Sequence, residues 1–315
     1  MHEFDLIQHY FTWSPPPSDV RVSVGDDAAI VQLATDEELI ISVDTLVNGV
    51  HFPLDTPAHA IGYKALAVNL SDLAAMGATP RWFTLALTLP EANQAWLAEF
   101  ASGLRELANQ AGIFLIGGDT TRGPLSITIQ VMGTAPKQQA LLRQGAKVGD
   151  LIVVSGHLGD AAAGLAHLQG RLNLPAEDAT YCLERLNHPN PRLELGIWLR
   201  QHATSCMDIS DGLVADLKHL LKRSQVGAKI YHQQIPLSPA LQKLNLSNAL
   251  NFALTGGDDY ELLFTLPKEY LAELEQFQYL KNTTSKVIGE ITSKSLELNM
   301  DYELVNLPDG YNHFQ

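Results

Sequence analysis

Cysteine is nearly absent from this chain: Cys182 and Cys206 are the only two in 315 residues. Two thiols are too few for a disulfide framework or a four-thiolate zinc site. Long hydrophobic runs are missing as well. No stretch approaches ~18 uninterrupted apolar residues, so the sequence predicts no membrane span. Basic residues are in deficit, with 21 Lys and Arg against 35 Asp and Glu, a formal charge of −14. That balance argues against general nucleic-acid binding, which depends on cationic side chains neutralising phosphates. The start, Met1-His2-Glu3-Phe4-Asp5, has acid where a signal peptide carries basic residues. The expectation is a soluble cytoplasmic protein. Glycine and proline, at 23 and 16, lie near average usage and exclude collagen-like and low-complexity classes.

Familiar chemical signatures are absent too. There is no Gly-x-x-x-x-Gly-Lys-Ser/Thr phosphate loop, no Gly-x-Gly-x-x-Gly dinucleotide fingerprint, no His-Glu-x-x-His zinc helix and no Gly-x-Ser-x-Gly nucleophile elbow. Nor does Asp26-Asp27 open an EF-hand loop.

What is present begins with a 46% hydrophobic content, ample for real cores. The length suggests about two domains. Leu39, Ile41 and Val43 alternate with Ile40, Ser42 and Asp44, predicting a strand over 38–44. A helix is predicted over 59–76 with Gly77 as its stop, and an amphipathic helix over 91–111 stopped by Gly112. Strands are predicted over 81–89, 113–116 and 125–132, with Gly117-Gly118-Asp119-Thr120-Thr121-Arg122-Gly123 between the last two. The pattern breaks near Gly145-Ala146-Lys147-Val148-Gly149-Asp150, a domain boundary. Beyond it strands are expected at 151–154, 206–209 and 260–266, and helices at 159–168, 192–202, 212–224 and 268–277. Alternating strands and helices in both halves predict a two-domain α/β or α+β protein.

The acid is unusually placed. Asp26, Asp27, Asp44, Asp72, Asp119, Asp208, Asp211, Asp258 and Asp259 all sit among Gly, Ala, Ile or Val, unlike a solvated charge run. Single positions have plain alternatives: turn residues at Asp26 and Asp27, a helix N-cap at Asp211, a solvent-facing pair at Ser42 and Asp44, surface placement for His51 and Lys64. Asp72, inside a Leu- and Ala-rich helical segment, fits such a reading least. Carboxylates that converge repel by several kcal/mol per close pair in a poorly solvated site, of the order that Coulomb's law gives there. Only bound cations make such a cluster tolerable, and all-oxygen ligands favour Mg²⁺ over Mn²⁺ or Ca²⁺. Gly117-Gly118 would let main-chain N–H groups approach a phosphate, and Gly159 opens a helix whose N-terminus would attract an anion. Metal-binding acids, N–H donors and no evident nucleophile point to phosphoryl transfer.

At these motifs the chain resembles the thiamine-monophosphate kinase family. That family lies within the superfamily of ATP-binding proteins that includes aminoimidazole ribonucleotide synthetase, selenophosphate synthetase and a hydrogenase maturation protein. The resemblance runs from Phe4 to Phe314. It is carried by Ser42-Val43-Asp44-Thr45-Leu46-Val47-Asn48-Gly49-Val50-His51-Phe52, by the string from Tyr63 to Ala78 that contains Asn69-Leu70-Ser71-Asp72, and by Gly117-Gly118-Asp119-Thr120-Thr121-Arg122-Gly123-Pro124. It implies a two-domain aminoimidazole ribonucleotide synthetase-like fold of α+β / α/β class. An N-terminal α+β domain (1–145) would bind ATP and Mg²⁺ and form a dimeric barrel with a second subunit. A C-terminal α/β domain (146–315) would complete the substrate site.

The implied reaction is ATP + thiamine phosphate → ADP + thiamine diphosphate, the final step of thiamine diphosphate biosynthesis, by direct in-line transfer with several Mg²⁺ ions per site. The resemblance leaves a monovalent cation open. Carried over residue by residue, it gives Asp27, Ser42, Val43 (through its carbonyl), Asp44, Asp72, Asp119, Asp208 and Asp211 as metal positions, with Asp44, Asp72 and Asp119 catalytic. Gly118, Asp119, Arg143 and Ser210 fall around ATP, and His51, Asp258 and Tyr311 around thiamine phosphate. Asp258 stands where the family usually has Glu. The segment Leu307-Pro308-Asp309-Gly310-Tyr311-Asn312-His313-Phe314, with two aromatics after a turn signal, is expected to cover the thiamine rings, by stacking or cation–π attraction. Selenophosphate synthetase is disfavoured because no Cys precedes Cys182, and the hydrogenase maturation protein because the chain ends Asn312-His313-Phe314-Gln315. Aminoimidazole ribonucleotide synthetase, or a non-catalytic Mg²⁺-nucleotide sensor, would share the fold.

Overall fold

A computed structural model describes residues 3–293 and 298–300 of the chain. Two compact units emerge, residues 1–73 with 78–140, and residues 74–77 with 141–315. The first contains α1 (Glu3–Leu6), a small hairpin of β1 (Val20–Val22) and β2 (Ile30–Val31), then β3 (Glu37–Val47), α2 (Ala58–Ala75), β4 (Thr79–Leu89), α3 (Gln94–Ala111), β5 (Phe114–Arg122) and β6 (Ser126–Pro136). The four long strands form a sheet in the order β3-β6-β4-β5. β6 is antiparallel to β3 and β4, whereas β4 and β5 are parallel. A parallel pair needs a crossover, and α3 supplies it.

α2 has almost no polar stripe: from Ala60 to Ala75 every residue is buried except half-buried Asp72. A helix apolar all round has to be enclosed. It packs closely on α3 through two glycines. A Cβ on Gly62 would stand 2.1 Å from the Phe100 carbonyl oxygen, and one on Gly103 2.0 Å from that of His59. α3 buries Leu97, Phe100, Leu104 and Leu107, the helical spacing read from the sequence. It starts at Gln94 rather than at 91, because the Asn93 side chain accepts the Trp96 N–H at 3.1 Å and caps it there.

Another difference concerns the glycine-rich run after Ile116. The sequence predicts a strand ending at 116, yet β5 continues to Arg122 and pairs Gly118 with Leu85 and Asp119 with Ala86. Gly118 permits the pairing, since a Cβ there would lie 1.9 Å from the Leu85 carbonyl oxygen.

The second unit runs β7 (Leu151–Ser155), α4 (Asp160–Leu168), α5 (Ala176–Asn187), α6 (Leu193–Leu199), β8 (Ser205–Ile209), α7 (Leu213–Ser224), β9 (Gly227–Ile230), α8 (Pro239–Gln242), α9 (Leu246–Thr255), β10 (Glu261–Leu266), α10 (Leu271–Lys281), β11 (Ser285–Thr292) and β12 (Leu298–Met300). Its sheet has the order β12-β9-β11-β7-β10-β8, antiparallel except at β12–β9. Alternation sorts the side chains onto two faces. Ile152, Val154, Met207, Ile209 and Leu263 pack with Leu217, Leu220 and Leu250 from α7 and α9. Val153, Cys206, Leu262, Phe264 and Leu266 pack with Leu195, Leu199 and Leu274 from α6 and α10. The sequence pattern does not mark α5, α9, β9 or β11; β9 is only four residues long, and a register shift between Val287 and Gly289 breaks the alternation of β11 that would identify a strand.

One ion pair is enclosed in this unit. Glu261, 0% exposed at the start of β10, accepts from Arg192 Nε and Nη2 at 2.6 Å each, from Arg185 Nη2 at 2.8 Å and from Ser155 Oγ at 2.5 Å. Burial by itself would raise this carboxyl. The Arg192 and Arg185 guanidiniums outweigh it and hold the group below its usual 4.5. Glu261→Gln keeps the shape and leaves two half-buried cations underpaired around a fully buried position. It should cost roughly 3–5 kcal/mol of unfolding free energy near neutral pH, the usual range for breaking a buried pair. Because the folded pKa is depressed, the contribution is present above 4.5 and is lost as pH falls through the folded value. Urea unfolding of both proteins at pH 7 and about 3.5 checks this; an equal gap at the two values would contradict it.

Candidate active site

β3 presents its faces in reverse of the usual arrangement. Leu39, Ile41 and Val43 face outward, 38%, 52% and 55% exposed, while Ser42 and Asp44 lie half-buried on the opposite face. The polar face meets α2. Ser42 Oγ donates to Asp72 Oδ2 at 2.5 Å, and the Asp44 N–H donates to Asn69 Oδ1 at 3.0 Å. Asn69 is itself anchored, its Nδ2 donating to the Ala65 carbonyl one turn back at 3.0 Å. Residues three apart share a helix face and residues two apart share a strand face. Those two periods bring Asp44 and Asp72 together. Burial pushes the Asp44 carboxyl up to about 6, and the negative charge of Asp72 adds to the rise.

The turn after β3 carries His51. Its Nδ1 accepts the Val47 N–H at 2.9 Å, so the neutral ring bears its proton on Nε2 and presents that nitrogen as a donor. Gly49, at φ 77°, makes the turn possible. Gly118 and Asp119 are exposed on β5, and Asp27 is exposed in the loop between β1 and β2, where its N–H donates to Asp26 Oδ1 at 2.8 Å. Val43 turns its side chain outward, leaving only main-chain atoms available as ligands.

In the second unit the chemistry-bearing residues gather at one end of β8. Asp208 is buried within the strand, and half-buried Ser210 and Asp211 follow it. Asp216, buried on α7, accepts the N–H groups of both Ser210 and Asp211 on a single oxygen, Oδ2, at 3.1 Å each. Burial pushes its carboxyl up to about 7, against the pull of the Asp211 N–H, and the Arg143 charge also lowers it. The loop bearing Asp258 is sewn to the same strand end: Asp258 N–H donates to the Ser210 carbonyl at 3.0 Å and Tyr260 N–H to that of Ile209 at 2.9 Å. Asp258 and Tyr260 are left-handed, at φ 69° and 49°, and the Tyr260 hydroxyl donates to Asp258 Oδ1 at 3.2 Å.

One expected anion site is already taken. The Gly159 N–H at the start of α4 donates to both oxygens of buried Asp259, at 2.9 and 3.0 Å, so the chain's own carboxylate fills the place expected for a phosphate. Tyr311 and the segment 307–314 lie outside the described residues. Asn69 and Asp216 carry no role in the sequence reading. Asn69 had a signal, three residues before Asp72 on one helix. Asp216 looks like any polar helical residue until the loop folds over it.

The donors gathered by β3 and α2 are a hydroxyl and two carboxylates. All are oxygen, which suits a hard divalent cation; Mg²⁺ typically takes one or two protein carboxylates and completes its shell with water and substrate phosphate. Among the described residues no three His, Cys, Asp or Glu side chains come close enough to enclose a metal ion by themselves.

Residues 25–135 match the AIR synthase related protein, N-terminal domain, and residues 147–301 its C-terminal domain. The thiamine-monophosphate kinase of Escherichia coli K12 is 46% identical, covering 99% of this chain and 98% of that protein. A crystal structure of thiamine-monophosphate kinase from Stenotrophomonas maltophilia K279a superposes with a TM-score of 0.86 at 46% identity, over 90% of this chain and 92% of that one. The structure of AaThiL complexed with AMPPCP and TMP gives 0.80 at 31% identity, over 93% and 92%.

Without a cation, Asp44 opposes folding. Its folded pKa of about 6 exceeds the ordinary 3.8. The contribution of Asp44 to stability is therefore least unfavourable at low pH and becomes more so as pH rises through 6. Asp44→Asn should raise the unfolding free energy in EDTA at pH 8 by on the order of 1–3 kcal/mol, the size of a two-unit shift, and by much less at pH 4.5. Urea titrations at the two pH values measure it; a loss of stability at pH 8 would contradict the geometry.

Proposed function

This chain belongs to the AIR synthase related family and, within it, to the thiamine-monophosphate kinases, and from that premise we propose that it transfers the terminal phosphoryl group of ATP directly, in line, to thiamine phosphate, yielding ADP and thiamine diphosphate. The observation that carries this reading is the Asp44–Asp72 pair, held by Ser42 and Asn69 in a chain similar over its whole length to such kinases.

The acceptor is a phosphate monoester with a second pKa of ≈ 6, so its attacking oxygen is already ionised at pH 7 and needs no general base. The difficulty is holding one anion against another, a matter of positioning and charge. Asp27, Ser42, the Val43 carbonyl, Asp44, Asp72 and Asp119 are the oxygen donors the first unit offers to Mg²⁺, and Asp208 and Asp211 those of the second. Bound there, Mg²⁺ would neutralise phosphate charge as the bond to the leaving oxygen breaks. Gly118 and Asp119 in the first unit, and Ser210 and Arg143 in the second, are proposed to contact the nucleotide. His51, through its Nε2–H donor, and Asp258, through its carboxylate, are proposed to contact thiamine phosphate, together with Tyr311. The first unit would thus be the ATP, Mg²⁺ and dimerisation domain, and the second would supply the remaining contacts.

A homodimer completes the reading. β3 is an edge strand of its sheet and bears an outward apolar row, Leu39, Ile41 and Val43. An exposed apolar edge of this length is ordinarily covered, and a second copy of β3 would cover it. A cytoplasmic setting fits both the ATP requirement and two cysteines that are free and buried.

Three experiments test these points. ADP release should depend on thiamine phosphate and Mg²⁺, and free thiamine should not replace thiamine phosphate, because its hydroxyl would need a base. Asp44→Asn, though folded, should turn over roughly 10²–10⁴-fold more slowly, several kcal/mol of barrier; wild-type turnover at saturating Mg²⁺ would remove Asp44 from the mechanism. Ile41→Asp should shift sedimentation equilibrium toward monomer, and an unchanged mass would place the subunit contact elsewhere.

A further inference from the structure

We propose that Asp216 is a positioning residue of the nucleotide side of the site, fixing the Ser210–Asp211 turn by accepting both of its backbone N–H groups on one buried carboxylate oxygen. The inference rests on the reading of Ser210 and Asp211 as nucleotide and metal contacts.

The geometry is specific. β8 ends at Ile209, and Gly212, at φ 111°, leads into α7. The turn between them has its N–H groups outside both the strand ladder and the helix. A buried N–H without a partner is costly, and water is poorly placed to serve here because Asp216 is only 3% exposed. Asp216 lies in the first turns of α7 and reaches back over the helix start, where Oδ2 receives Ser210 N–H and Asp211 N–H at 3.1 Å each. This resembles a capping box turned toward the preceding loop. The same turn offers the Ser210 carbonyl to Asp258 N–H at 3.0 Å, and a Cβ on Gly257 would lie 2.5 Å from that carbonyl oxygen. Moving the turn therefore moves Asp258. One buried side chain sets the placement of residues assigned to both substrates.

Partners that orient ligating groups typically change affinity or activity by roughly 10–100-fold when removed. Asp216→Ala should weaken Mg²⁺–ADP binding, read by calorimetry, by that factor and raise the KM for thiamine phosphate as well. Asp216→Asn retains a carbonyl oxygen for both N–H groups and should bind Mg²⁺–ADP within about threefold of wild type, a margin under ~0.7 kcal/mol. Asp216→Glu keeps the charge but overreaches by a methylene, and should bind weakly. Thermal melts and circular dichroism at the assay temperature establish that each variant is folded. If Asp216→Ala fails to fold, the Asn and Glu pair decides. Glu like wild type with Asn impaired would show that charge, not hydrogen-bond placement, matters and would overturn the proposal; so would unchanged Mg²⁺–ADP affinity in a folded Asp216→Ala. A wild-type protein that binds Mg²⁺–ADP but forms no thiamine diphosphate would instead overturn the kinase reading while leaving the nucleotide-binding comparison intact.

Discussion

Two carboxylates brought together and partly removed from water raise the free energy of the folded chain, each opposing ionisation of the other. Asp44 and Asp72 are in that position, and much of the first unit serves to keep them there. The enclosed, nearly all-apolar α2 fixes the backbone under Asp72. Asn69 grips the strand backbone at Asp44 and is gripped in turn by Ala65. Ser42 donates to Asp72. Glycines at 62 and 103 let α2 lie close against α3, which leaves the helix little freedom to relieve the repulsion by moving. In the proposed reading a bound cation would relieve it instead, so strain in the site without a cation would become affinity for one.

Three of the buried acids in the second unit are handled differently, each with its own consequence. Glu261 is matched by two guanidiniums and held ionised. Asp259 meets one backbone N–H, and burial drives its carboxyl well above the ordinary range. Asp216 takes two backbone N–H groups and lies near neutrality. Only the last is attached to the turn that carries Ser210 and Asp211. The ion pair under β10 and the Asp259 contact at α4 instead brace the Gly256–Tyr260 loop from below.

β3 joins the two functions proposed for the first unit. Its period of two places Ser42 and Asp44 toward α2 and, by the same geometry, Ile41 and Val43 outward. A one-residue slip in its pairing with β6 would exchange the two sets. The eleven-residue register with β6 therefore fixes the carboxylate pair and the apolar edge together.

Local patterns determined a good deal. The alternation at 38–44, the helical spacing of α3, Gly77 and Gly112 as helix stops, and the acid-bearing strings around Asp44, Asp72 and Asp211 were all readable residue by residue, because each depends on neighbours within a turn or a strand. The family likeness was readable for the same reason, since it resides in short contiguous strings. Tertiary structure decided the rest. Which face of β3 is covered depends on where α2 lies, and periodicity alone is symmetric between the two faces. Whether the α4 N-terminus is open depends on Asp259, 100 residues away in the chain. The continuation of β5 through Gly118 depends on β4 being there to pair with it. Asp216 acquires its role only when the turn before α7 folds back over it. Hydrogen bonds between distant segments leave no periodic trace, because sequence spacing records which residues share a face and not what that face will meet.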